Sequence, residues 1–173
     1  ISSDFSKLDD LLNMVKKIGV CELANHNSSE QIVISGHTKA VQELVNNSDK
    51  FSIKRAVLLN VSAPFHCSLM MPAQIKLENE LKEITFNDPD LPIICNYTAV
   101  AENNPLKLKE NIINQVTNKV RWNETMEYAL DKKINKVLEC GSGKVLSGLF
   151  KRFSKDFNVY NIETIEDLKK IEI

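Results

Sequence analysis

The sequence predicts an α/β protein, and three observations carry that expectation. Apolar residues recur at three- to four-residue spacing in several stretches, among them Phe5, Leu8, Leu12 and Val15, and later Val145, Leu146, Leu149, Phe150 and Phe153. Between these lie apolar runs of strand length, such as residues 56–61 and 91–96, bounded by polar turn residues. Beyond residue 66 the two kinds of stretch alternate, which is the order of a largely parallel sheet with helical crossovers.

Taken in order, Ser2 and Ser3 are N-cap candidates for a first helix, with Asp4 in its first turn and Gly19 closing it. Residues 20–24 and 31–35 read as the two strands of a hairpin, with the polar residues 25–29 as its turn. Gly36 leads into a second helix with Ala40, Val41, Leu44 and Val45 on one face, and the Asn46-Asn47-Ser48-Asp49 cluster ends it. Residues 54–61 are a third strand. Helix, strand, strand, helix, strand is a ferredoxin-like, split βαβ unit lacking most of its first strand, of which Ile1 would be the stump. The chain opens on Ile1 at a helix-start signal, as expected of a segment whose upstream part is missing.

Beyond Pro72, Ala73, Leu77, Leu81 and Ile84 form a helical stripe that ends near Asn87-Asp88-Pro89. Residues 91–96 are a continuous apolar run, of the kind buried on both faces in a parallel sheet. A turn-rich segment at 101–105 precedes helical spacing at Leu108, Ile112 and Val116, and Met126, Ala129 and Leu130 mark another helix. Residues 136–139 read as a strand, Gly141-Ser142-Gly143 as a tight turn into the helix of Val145 to Phe153, and 157–161 and 165–171 as a last strand and helix.

Composition narrows the functions available. With 173 residues, 43% hydrophobic and 26% charged, the chain can build one full domain or two small subdomains. A net charge of −1 removes the electrostatic case for binding nucleic acid or an anionic membrane. No apolar run approaches the ~20 residues of a membrane span. The four cysteines show no CxxC and no Cys/His pairing at zinc spacing, so reduced thiols in a cytosolic-type compartment are expected and no metal site is. His26 and His37 lack companions at ligand spacing, and the single Trp122 is no stacking platform for bases.

Two loops carry possible chemistry. Cys140-Gly141-Ser142-Gly143-Lys144 joins a strand to a helix, where backbone N–H groups could cradle an anion. It is not a Walker A loop, because Leu138 and Val145 stand where that motif needs Gly and Ser or Thr; glycines required by a tight turn are the plainer reading. Residues 60–68, Asn-Val-Ser-Ala-Pro-Phe-His-Cys-Ser, place His66 after a strand-like run and before a helix, where side chains are held by a scaffold yet reachable. By local pattern alone His66 is either an ordinary loop histidine or a catalytic base. No G-x-S-x-G nucleophile turn is present, so the chain offers a possible base without a nucleophile.

Four stretches in register resemble the C-terminal part of malonyl-CoA:acyl carrier protein transacylases. They are Ala24-Asn25-His26-Asn27-Ser28 through Gln31-Ile32-Val33-Ile34-Ser35-Gly36; Val61-Ser62-Ala63-Pro64-Phe65-His66-Cys67-Ser68-Leu69-Met70; Asn114-Gln115 through Val120-Arg121-Trp122; and Glu139 through Gly141, continuing as Gly143-Lys144-Val145-Leu146 and Gly148-Leu149. The resemblance implies a truncated ferredoxin-like small subdomain over residues 1–60. It implies the C-terminal part of a large α/β-hydrolase-like acyltransferase subdomain over 61–173. It further implies a ping-pong transfer of malonyl from coenzyme A to the phosphopantetheine thiol of acyl carrier protein, in fatty-acid synthesis.

Under that resemblance His66 is the general base that activates a serine, and Gln115 orients its imidazole through a main-chain carbonyl in place of an aspartate. Asn27 is carried over as substrate-side, and Phe65 as a lining of the acyl pocket that favours malonyl. The family's serine, its carboxylate-binding arginine and its oxyanion-hole glutamine all precede this region, so the 173 residues alone are expected to be inactive. Ser142 replaces a usual proline in the Gly-x-Gly turn, and Lys119 stands where the family often has proline. No cofactor is expected, malonyl-CoA being a substrate; the expected partner is acyl carrier protein, in the cytoplasm or an organelle stroma or matrix. A polyketide-type acyltransferase with another acyl preference, or an inactive module that binds carrier protein, are the competing readings.

Overall fold

The computed structural model describes residues 5–169 and 171. Contacts divide the chain into two compact units, the first ending at Asn123 and the second beginning at Glu124.

The first unit is organised on a hairpin. Strand β1 (Cys21–Ser28) pairs antiparallel with β2 (Gln31–Gly36), with Cys21 opposite Gly36 and Ser28 opposite Gln31. Helix α1 (Leu8–Val15), continuing a 3₁₀ turn at Phe5–Lys7, and helix α2 (Thr38–Asn47) present their apolar stripes to it. Leu8, Leu11, Val15, Ile32, Leu44 and Ile53 form one buried cluster, with Leu23, Ile34, Phe51 and Ala56 packed against it. Truncating the fully buried Leu11 to alanine would cost about 2–5 kcal/mol. Gly36 is required by close approach, since a Cβ there would lie 2.1 Å from the carbonyl oxygen of Val20. The expected caps Ser2, Ser3 and Asp4, and the stump at Ile1, lie outside the described residues.

Three expectations for this unit are corrected. The polar residues 25–28 continue β1 and do not form the turn, which is reduced to Ser29 and Glu30. They stay extended because β1 has a second neighbour: Val120 donates its N–H to Ala24 O and accepts that of His26, both at 2.8 Å. Bulges at Ala24 and Asn27 absorb the mismatch with β2. Residues 54–61 form no ladder; no strand among the described residues lies alongside, and Val57, Leu58, Leu59 and Val61 are each more than half exposed. Residues 91–96 are not a buried parallel strand. The turn at Cys95–Ala99, with Ala99 at φ 58° and its N–H on Cys95 O, folds the chain back, so that β3 (Ile93–Ile94) pairs antiparallel with β4 (Ala101–Glu102) and Leu91 is 75% exposed.

Helix α3 (Met71–Leu81) extends a 3₁₀ turn at Ser68–Met70 and packs on α4 (Pro105–Asn114). Only Leu81 of the expected stripe is buried; Leu77 is half-buried, Ala73 is exposed, and Ile84 lies beyond the helix. Helix α4 starts where the sequence puts Asn104 before Pro105. The Asn104 side chain accepts the N–H groups of Leu106 and Lys107, and proline occupies a position whose N–H has no helical partner.

Helix α5 (Trp122–Asp131) runs from the end of the first unit into the second. Within the second unit, β5 (Lys136–Cys140) and β6 (Asn158–Ile162) are parallel, joined by α6 (Val145–Phe153), which makes a βαβ crossover. This is the only parallel strand pair among the described residues, so the largely parallel sheet of the sequence reading reduces to these two strands. Phe150 meets Phe157 edge-to-face at 4.9 Å and helps seat α6. A one-turn helix α7 (Ile165–Leu168), shorter than expected, is fixed by a capping box of Thr164 and Asp167.

Candidate active site

The loop carrying His66 is tied at each residue. Phe65 donates its N–H to Ala63 O at 3.0 Å. His66 adopts φ 61°, a left-handed conformation that costs a non-glycine residue about 1 kcal/mol and that histidine tolerates better than most. Cys67 is fully buried, and its Sγ donates to Pro64 O at 3.1 Å. Burial pushes the Cys67 thiol up, against the backbone N–H of Leu69, so the group stays a protonated anchor. Ser68 then opens the 3₁₀ turn into α3, and no side chain of the preceding residue caps it. Glu22, projecting from β1, supplies that function: its carboxylate accepts the Ser68 N–H at 2.8 Å and the Ser68 hydroxyl at 2.7 Å.

The second half of the site is the C-terminal end of α4. Gln115 donates its N–H to Asn111 O at 3.0 Å, while its own carbonyl belongs to the last turn, where helical carbonyls lack intrahelical donors. That carbonyl lies 2.8 Å from His66 Nδ1. A carbonyl oxygen can only accept, so Nδ1 carries the proton and Nε2 presents a lone pair. The carbonyl belongs to the negative end of the helix, which thus faces the ring. Downstream turns are braced as well: the Thr117 hydroxyl donates to Gln74 of α3, and Asn118 Nδ2 donates to Asn114 O. The contact sets the tautomer of the ring without a buried carboxylate.

The structure thus brings His66 and Gln115 together across 49 positions. Asn27 occupies the second bulge of β1, half-buried, and Phe65, next to His66 in sequence, is 47% exposed. His37 is committed elsewhere, its Nδ1 accepting the N–H of Val20 at 3.0 Å. No group of three potential metal ligands occurs among the described residues. The turn after β5 is not an open anion cradle. Glu139 already accepts the N–H groups of Leu146 and Ser147 at 3.0 and 2.7 Å, and hydrogen bonding from Ser147 and Leu146 holds its carboxyl below the usual range. Glu22 and Cys67 are the residues that sequence reasoning missed; an acid within the otherwise apolar run 20–24 was the available signal.

No family model matches the chain. Solved structures do superpose on nearly all of it. An acyl carrier protein S-malonyltransferase from Vibrio cholerae matches with a TM-score of 0.93 and 34% identity over 99% of this chain and 56% of that one. A malonyl-transacylase solved with its type II PKS acyl-carrier protein matches with a TM-score of 0.92 and 32% identity over 98% of this chain and 54% of that one. The scaffold is that of the α/β acyltransferases. Among curated relatives, the malonyl CoA-acyl carrier protein transacylase of Staphylococcus aureus strain COL is 33% identical over 167 residues, 96% of this chain. Over 96% of its length the chain is homologous to proteins named malonyl CoA-acyl carrier protein transacylase. It spans about half the length of the relatives it matches, 54% in the Staphylococcus case.

Proposed function

We propose that this chain is the histidine-bearing part of an enzyme that moves malonyl from coenzyme A to the phosphopantetheine thiol of acyl carrier protein in fatty-acid synthesis. The observation that carries the reading is the 2.8 Å contact between His66 Nδ1 and the Gln115 carbonyl, which leaves Nε2 able to accept a proton. In the first half-reaction Nε2 takes the proton of a serine hydroxyl as the serine oxygen attacks the malonyl thioester, and coenzyme A leaves as its thiol after receiving that proton. In the second, Nε2 takes the proton of the carrier's thiol, the thiolate attacks the malonyl ester, and the proton returns to the serine. The serine lies outside this chain. The relative solved with an acyl-carrier protein supports the choice of partner.

In this reading residues 1–60 form the small ferredoxin-like subdomain and 61–173 part of the large one. Hydrogen bonds from β1 to Val120 and Ser68 then bridge the subdomain junction. The exposed apolar segment 57–61 is the edge that a neighbouring strand would cover. Asn27 lies on the substrate side, and Phe65 borders the acyl group. On this reading the enzyme works in the cytoplasm, or in an organelle stroma or matrix, and uses no cofactor. The test is intact-protein mass spectrometry after incubation with malonyl-CoA. A malonyl ester is expected on the serine when the serine-bearing part is present and on none of Ser62, Ser68 or Ser142 in this chain alone; a stable ester on any of those three contradicts the reading.

A further inference from the structure

We propose that Glu22 is a positioning residue for the base: its carboxylate, bound to the N–H and hydroxyl of Ser68, sets the loop that aims His66 at Gln115. This rests on the reading of His66 as the general base. The geometry is specific. Ser68 is two residues beyond His66 and begins the 3₁₀ turn that runs into α3, so its position fixes where the loop ends. The residue before it provides no side-chain cap, and a carboxylate from a strand 46 positions away fills that place with two hydrogen bonds of 2.7–2.8 Å. Bonds of this kind, short and with an ionised acceptor, resist displacement more than neutral ones. They also put negative charge at a helix N-terminus, where it is favoured.

The loop has little slack to absorb the loss of this tie. Cys67 is buried without exposure, and His66 is held at φ 61°, a conformation the surroundings must impose. On the ring side, among the described residues, His66 is held at Nδ1 alone, by the Gln115 carbonyl at the end of α4. Releasing Ser68 therefore lets the loop relax away from φ 61° and lengthens the bond that selects the Nδ1–H tautomer. Glu22 touches neither substrate nor reacting atoms in this account; it acts through Ser68.

The experiment uses the protein with its serine-bearing part present. Glu22→Ala, Glu22→Gln and Ser68→Ala are compared for kcat and KM in malonyl transfer, and the His66 tautomer is read from ¹⁵N imidazole shifts. Glu22→Ala is expected to lower kcat about 10- to 100-fold with KM nearly unchanged, as a displacement of about 1 Å at a base does. Its ring spectrum should move from the Nδ1–H form towards a tautomer mixture. Glu22→Gln, whose amide oxygen can still accept from Ser68, should recover most of the rate and the ring spectrum. Ser68→Ala, which keeps the backbone bond but loses that of the hydroxyl, should lose only a few-fold in kcat with a partial shift of the ring spectrum, and it carries the test if circular dichroism shows that Glu22→Ala does not fold. An unchanged ring spectrum in Glu22→Ala, or in Ser68→Ala where Glu22→Ala does not fold, overturns the proposal. A ring that responds to Glu22 in a protein that transfers no malonyl overturns the proposed reaction and leaves the positioning role standing.

Discussion

Replacing Gln115 separates two ways in which that residue could serve the base. The contact with His66 is made by the main-chain carbonyl, at 2.8 Å, and not by the amide side chain. Gln115→Ala keeps that carbonyl and keeps a good helix former at the end of α4, so malonyl transfer should stay within about two-fold, the size of a surface substitution effect of ~0.5 kcal/mol or less. Gln115→Pro also keeps the carbonyl but removes the N–H that donates to Asn111 O at 3.0 Å and sets a proline ring against that carbonyl, a disruption of about 3 kcal/mol or more that moves the helix end. If the displaced carbonyl no longer reaches Nδ1, the bond lost is one to a ring that, in the proposed reaction, becomes charged in the transition state. Such bonds contribute about 1.5–3 kcal/mol, which is roughly 10- to 150-fold in rate. The assay is transfer from malonyl-CoA to the carrier's thiol, with circular dichroism to confirm folding. A Gln115→Ala variant as impaired as one lacking the imidazole would refute the main-chain assignment and place the role in the amide.

Two further outcomes follow from the same geometry. Hydrogen bonding from Ser147 and from the N–H of Leu146 holds the Glu139 carboxyl below its usual value of 4.5. The stability it contributes is therefore full above about pH 4.5 and is lost as pH falls through the lower folded value, so Glu139→Gln should flatten the acid limb of unfolding free energy against pH; an unchanged slope in urea titrations would contradict this. Phe65, 47% exposed next to the base, should restrict branched acyl groups: Phe65→Ser is expected to raise kcat/KM for methylmalonyl-CoA relative to malonyl-CoA by about 10-fold, and an unchanged ratio would remove Phe65 from the acyl pocket.

Local signals in the sequence were strongest where structure depends on local physics. Helices α1, α2, α4, α5 and α6 follow their apolar spacing, and the Asn104–Pro105 start of α4 is written in two adjacent residues. Errors arose where a distant strand decides. Residues 25–28 look like a turn because they are polar, yet Val120 holds them extended from more than ninety positions away. Residues 54–61 have strand composition, but a strand exists only when something pairs with it. The apolar run at 91–96 is a short antiparallel edge because the turn ending at Ala99 reverses the chain, and nothing in the run itself encodes that reversal.

The site was legible to a different degree. His66 was visible as a histidine in a strand-to-helix loop, but its contact with Gln115 spans 49 positions and concerns a backbone atom, which no side-chain pattern reveals. It entered through the resemblance of four stretches to one family. Glu22 and Cys67 were not found, since their roles arise from tertiary contacts with Ser68 and Pro64.

The central claim is that His66 acts as the base. Its most direct test is the pre-steady-state rate of malonyl-ester formation in the protein with its serine-bearing part present, comparing the native residue with His66→Ala. A slowing of about 10²–10⁴-fold in acylation is predicted, with the fold unchanged by circular dichroism. Acylation at the native rate in His66→Ala would contradict the account.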